Sequence, residues 1–81
     1  VQAEIDGYGY LPELITIGVG GTIVWTNIDR TPHSATAYNA AFDTGVLLQG
    51  SSFAYTFTQP GEYNYFYTRH SAMTGSVIVT P

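Results

Sequence analysis

Eighty-one residues can wrap one hydrophobic core but not two, so a single domain over residues 1–81 is expected. With 44% hydrophobic and 15% aromatic residues against 10% charged, the chain has enough apolar surface to fold and lacks the composition of a disordered acidic segment. It has no cysteine, a net charge of −4, and only Arg30 and Arg69 as permanent cations, which excludes a disulfide framework, a thiolate-bound zinc or iron–sulfur site, and the basic stripe needed to neutralise nucleic-acid phosphates.

Gly7, Gly9, Pro12, Gly20-Gly21, Pro32, Gly45, Gly50, Pro60-Gly61 and Gly75 punctuate the chain at short intervals and leave no window for a long helix. A first strand is predicted near residues 2–8, followed by strands over 13–19 and 22–29, each rich in β-branched residues. One or two irregular strands are expected within 34–48, then regular ones over 52–58, 62–67 and 76–80. Phe53, Tyr55 and Phe57 fall on one face of their strand and Tyr63, Tyr65 and Tyr67 on one face of theirs, the period of a half-buried strand. Seven or eight strands are too many for one flat sheet in so short a chain, so an all-β, Greek-key sandwich of two packed sheets is the expected fold class. Trp25, inside Ile23-Val24-Trp25-Thr26-Asn27, is expected in the core, and most of the seven tyrosines in packing roles with their hydroxyls at an edge.

No run reaches the about 20 apolar residues of a membrane span, and none has the pattern of a signal peptide. The sequence opens on Val1 rather than methionine, which suggests a processed or trimmed chain; a leader or anchor would precede Val1.

Both histidines of the chain fall where a loop or strand end is predicted. His33 follows Thr31-Pro32, just after the strand containing Trp25. His70 lies midway in Tyr67-Thr68-Arg69-His70-Ser71-Ala72-Met73, read as the connection between the last two strands. Imidazole nitrogens from two places and a thioether sulfur from a short loop are the donor types of a copper site. Taken singly, each has an ordinary explanation, a solvated loop histidine or a gap-filling methionine.

The order of motifs resembles the cupredoxins, small copper proteins of the plastocyanin and amicyanin type. Tyr10-Leu11-Pro12, Ile15-Thr16-Ile17 and Gly20-Gly21-Thr22-Ile23-Val24-Trp25-Thr26-Asn27 are similar to that family's aromatic-x-Pro, hydrophobic strand and Gly-Asp-Thr-Val-x-Trp-x-Asn. Asp29 and Pro32-His33 follow, then Phe42-Asp43-Thr44-Gly45, Phe53-Ala54-Tyr55-Thr56-Phe57 and Pro60-Gly61-Glu62-Tyr63-Asn64-Tyr65. The family's closing segment, Tyr-x-Tyr-x-Cys with a His and Met loop, a glycine and a last strand, corresponds to Tyr63, Tyr65, Tyr67, His70, Met73, Gly75 and Val77-Ile78-Val79. The short ligand spacing resembles the amicyanin-like branch. The resemblance implies copper as cofactor and His33, His70 and Met73 as ligands, with Tyr67 in the cysteine's place. It also implies that Ser34 ties the two ligand loops through a hydrogen bond and that Asn27 braces the loop before His33; each is equally read as a turn residue.

Tyrosine removes the soft thiolate that gives blue copper its colour and rapid electron transfer. A phenol is harder and ionises near pH 10 unless a cation draws off the proton. Direct phenolate coordination is the expectation, because strand alternation points Tyr67 inward with Tyr63 and Tyr65. The alternatives are a ring swung aside with water completing the site, and an apolar plug in a site without metal. The expected function is therefore a copper-binding member of an electron-transfer lineage with a non-blue mononuclear site, not an enzyme. An electron carrier whose cysteine was replaced by engineering, and a metal-free binding module, are the alternatives. A redox or copper-donor protein is the expected partner, the chain a monomer, and its location extracytoplasmic: periplasmic, at the cell surface or secreted.

Overall fold

Runs of β-branched and aromatic residues bounded by glycine or proline become strands throughout the chain. The computed structural model describes residues 1–7 and 9–81, with the side chains of residues 70–72 outside the described set. The strands are β1 (Gln2–Ile5), β2 (Tyr10–Leu11), β3 (Leu14–Gly18), β4 (Thr22–Asn27), β5 (Thr36–Ala37), β6 (Ser52–Thr56), β7 (Gly61–Tyr67) and β8 (His70–Thr80), and the described residues contain no helix. They form two four-stranded sheets, ordered β2-β1-β4-β6 and β3-β8-β7-β5. The chain passes from one sheet to the other at every connection from β2 to β7. This all-β sandwich is the fold class expected from the sequence.

Alternation decides which side chains meet between the sheets. Ala3 and Ile5 of β1, Ile15 and Ile17 of β3, and Ile23 and Trp25 of β4 are buried, while their strand neighbours are exposed or intermediate. Trp25 is fully buried, stacked on Phe42 with ring centres 5.0 Å apart and edge-on to Tyr65 at 5.5 Å. Core placement of Trp25 follows the sequence expectation.

The segment 34–48 is irregular, as expected, and among the described residues pairs through the two residues of β5 and the isolated bridges His33↔Leu47 and Thr36↔Asp43. Two elements depart from the sequence expectation. A short β2 pairs with β1 where no strand is predicted, and β8 begins at His70 rather than at residue 76, with Tyr65 opposite Gly75 and Phe66 opposite Thr74. Gly75 reads as a break in the sequence, yet it lies inside the strand because the Tyr65 ring occupies the space above it: a β-carbon there would sit 2.5 Å from the ring. The expected ligand loop is thus only a tight hairpin turn at Thr68-Arg69, with positions 70 and 73 on β8 and Tyr67 at the end of β7, and with a register irregularity between Phe66 and Tyr67.

Candidate metal centre

His33 leaves the last turn of a loop anchored at both ends by the fully buried Asn27. The Asn27 Nδ2 group donates to the Thr31 carbonyl at 3.0 Å and to the Leu47 carbonyl at 2.7 Å, and its Oδ1 accepts from the Asp29 amide at 2.9 Å. The His33 backbone is clamped to Leu47 by two hydrogen bonds, its N–H to the Leu47 carbonyl at 3.1 Å and the Leu47 N–H to its carbonyl at 2.7 Å. Asn27 therefore braces this loop, as its place in the motif suggests, and does so through a complete set of partners. Ser34 is buried, and its hydroxyl has no hydrogen-bond partner among the described residues. Its carbonyl instead accepts the Tyr10 hydroxyl, which joins β2 to the residue beside His33.

His33 is 4% exposed. Its Nε2–H donates to Asp29 Oδ2 at 2.8 Å, since a carboxylate can only accept. Its Nδ1 is buried and has no partner among the described residues. The hydrogen bond from His33 holds the Asp29 carboxyl below the ordinary range for an aspartate, assisted by the backbone amides of Arg30 and Thr31.

At the end of β7, strand alternation carries Tyr67 inward, 6% exposed. Its ring lies edge-on to the His33 imidazole, centres 5.0 Å apart, and its hydroxyl donates to the Pro32 carbonyl at 2.9 Å. The structure thus brings His33, in the β4–β5 connection, into contact with Tyr67, at the end of β7. Thr31, Pro32, Val46, Tyr67 and Arg69 line a cavity of about 150 Å³ beside them.

Met73 on β8 packs partly buried against the core and lines a cavity of about 180 Å³ with Asp6, Gly9, Tyr10, Leu11, Glu13 and Thr74. Tyr10 is common to both neighbourhoods, through this cavity and through its bond to Ser34. Burial, followed by the neighbouring Tyr65, Tyr67 and Tyr38, pushes the Tyr10 phenol well above its ordinary value. The predicted ligand His70 has its side chain outside the described residues.

Among the described residues, no cluster of three or more His, Cys, Asp or Glu side chains could hold a metal by itself, so a metal here depends on donors of mixed type. The available types, imidazole and thioether, suit copper. The orphaned Nδ1 of His33 fits it too, because a buried imidazole nitrogen without a partner is stable as a lone pair offered to a Lewis acid. Motif reading had singled out Asp29 only as a family residue; its contact with the histidine four positions on is the part that sequence did not disclose. The Asp-x-x-x-His spacing across a turn is the signal that could have pointed to it.

Comparison with known proteins agrees with this geometry. Residues 1–80 match the copper-binding proteins of the plastocyanin/azurin family. The chain is 34% identical over 89 aligned positions to amicyanin of Paracoccus versutus, covering 98% of this chain and 64% of that protein. To amicyanin of Paracoccus denitrificans it is 37% identical over 78 positions, covering 84% of this chain and 55% of the relative. It thus spans somewhat over half the length of these curated relatives. Among solved structures, a purple cupredoxin from Nitrosopumilus maritimus superposes with a TM-score of 0.91 at 30% identity over 99% of both chains. A copper-containing nitrite reductase from Thermus scotoductus superposes with a TM-score of 0.93 at 29% identity, over all of this chain and 22% of the enzyme. With a two-sheet fold, a family match almost end to end and a buried imidazole keeping one nitrogen unpaired, this chain belongs to the cupredoxins, the plastocyanin/azurin family of copper-binding proteins.

Proposed function

We propose that the chain binds a single copper ion through His33, His70 and Met73, with the Tyr67 oxygen as a fourth donor in place of the family's cysteine. In this reading it is a non-blue copper protein from an electron-carrying lineage, with an altered redox role, and not an enzyme. One observation carries it: His33 is held through Nε2 while its Nδ1 stays buried without a partner among the described residues. When bound, copper would supply a one-electron couple and the positive charge that draws the proton from a phenol. Before Tyr67 can coordinate, its hydroxyl must leave the Pro32 carbonyl, because a phenolate has no hydrogen to share with that oxygen. In this reading the chain resides outside the cytoplasm and meets a redox or copper-donor protein.

A second reading is favoured by the Tyr67–Pro32 hydrogen bond itself. Tyr67 then stays protonated, and two imidazoles with one thioether form a softer set suited to Cu(I). Titration with one equivalent of Cu(II) separates the two. Under the first reading it produces a phenolate-to-copper charge-transfer band that Tyr67→Phe abolishes; under the second, the variant leaves spectrum and affinity unchanged and Cu(I) binds more tightly. If neither oxidation state binds more tightly than about micromolar, both readings fail and a metal-free binding module is left.

A further inference from the structure

The His33 ring is restrained very differently at its two nitrogens. Backbone hydrogen bonds to Leu47 fix where the side chain starts, and Tyr67 packs edge-on against one side of the ring. Neither contact chooses which nitrogen carries the proton or which one points to Asp29. The Asp29 carboxylate does, because it accepts from Nε2 at 2.8 Å and cannot donate. A proton on Nδ1 would be a buried donor without an acceptor among the described residues, a costly arrangement, and would leave Nε2 as a lone pair facing a carboxylate.

Resting on the copper reading above, we propose that Asp29 is a positioning residue that locks His33 in the Nε2–H tautomer and thereby presents the Nδ1 lone pair to the metal. Asp29 is itself well placed to be rigid. Its amide is tied to Asn27 Oδ1, and its carboxylate is held by the imidazole at 2.8 Å. The carboxylate also lies against Gly7, where an added β-carbon would come within 3.6 Å of Oδ2, so the β1–β2 turn closes over it. Buried Asn27 thus fixes the loop, the loop fixes Asp29, and Asp29 fixes the ring. The carboxylate adds negative charge behind the imidazole, which strengthens the ring as a donor.

The test begins with the metal-free chain, so that it does not depend on copper. Nitrogen-15 correlation spectra of His33 should show the Nε2–H tautomer in the parent and in Asp29→Asn, whose amide oxygen still accepts from Nε2. In Asp29→Leu, and in the smaller Asp29→Ala should the leucine variant fail to fold, the two tautomers should mix. Copper affinity, measured by competition with a chelator, should fall about 10- to 100-fold in the Leu or Ala variant and be largely rescued in Asp29→Asn. If the tautomer is unchanged in both deletion variants, Asp29 does not position the ring and the proposal is overturned, whatever the copper affinity. If the tautomer shifts as expected but the parent binds no copper, the copper reading fails, and with it the metal-facing half of the proposal. If Asp29→Asn loses affinity as fully as Asp29→Leu while retaining the tautomer, charge and not tautomer is what Asp29 contributes, which also overturns it.

Discussion

Asn27 illustrates how much a single polar side chain can carry when it is fully buried. Its amide satisfies the carbonyls of Thr31 and Leu47 and the amide of Asp29, three backbone groups on both strands of the loop that holds His33. Replacing it with alanine removes all three partners together. Because buried groups left without partners cost about 1–3 kcal/mol, Asn27→Ala should lower the urea midpoint by a corresponding amount with an unchanged denaturant slope. A parent-like midpoint would mean that water replaces the amide at no cost. The importance of Asn27 was legible from its place at the end of the Trp25 strand motif. The dependence of His33 on Asp29 was not, since a spacing of four residues fits many geometries, and only the folded turn aims the carboxylate at Nε2. Nor was the role of Ser34, which contributes its carbonyl to Tyr10 where a bond from its hydroxyl was expected.

At the level of elements, the β7–β8 hairpin shows propensity yielding to packing. Glycine is a poor strand residue, and Gly75 suggests an end to the strand. Yet β8 runs through it, because the face opposite Tyr65 has room for hydrogen only. Gly75→Ala should therefore push the Tyr65 ring off Trp25 and Tyr10, its edge-on neighbours at 5.5 and 4.8 Å. Overpacking of this kind costs about 1–3 kcal/mol, read as a lower thermal midpoint together with a changed Trp25 fluorescence. An unaltered emission and midpoint would show that the ring yields without disturbing the core. The same hairpin places Tyr67 at the last inward position of β7. Alternation along Tyr63, Tyr65 and Tyr67 was enough to read that direction from sequence. It was not enough to read where the phenol oxygen ends, because that depends on Pro32, a residue delivered by a different connection.

For the molecule as a whole, buried phenols set an alkaline limit to stability. Burial raises the pKa of Tyr10, and burial also raises that of Tyr65 despite an opposing hydrogen bond from the Trp25 indole. In the unfolded chain these groups ionise near pH 10, while the native state holds their protons to higher pH. The native state then binds more protons, so stability is full below about pH 10 and falls as pH rises above it. The chain has no lysine, so no ammonium titration overlaps this range. The thermal midpoint should therefore decline steeply above about pH 10, and Tyr10→Phe should flatten that decline while losing the bond to Ser34. A decline of equal steepness in the variant would assign the alkaline limit elsewhere.

The sequence by itself determined the all-β class, the inward faces of the strands and the family, because these depend on local alternation, turn chemistry and the order of motifs along the chain. Tertiary structure alone decided that Tyr67 meets His33 while bonding to Pro32, that Gly75 belongs to a strand, and that Asp29 holds one imidazole nitrogen and leaves the other unpaired. Each of these is a contact between segments far apart in sequence or facing each other across a turn. Their geometry is set by how two twisted sheets close on a shared aromatic core, and no pattern along a single strand contains it.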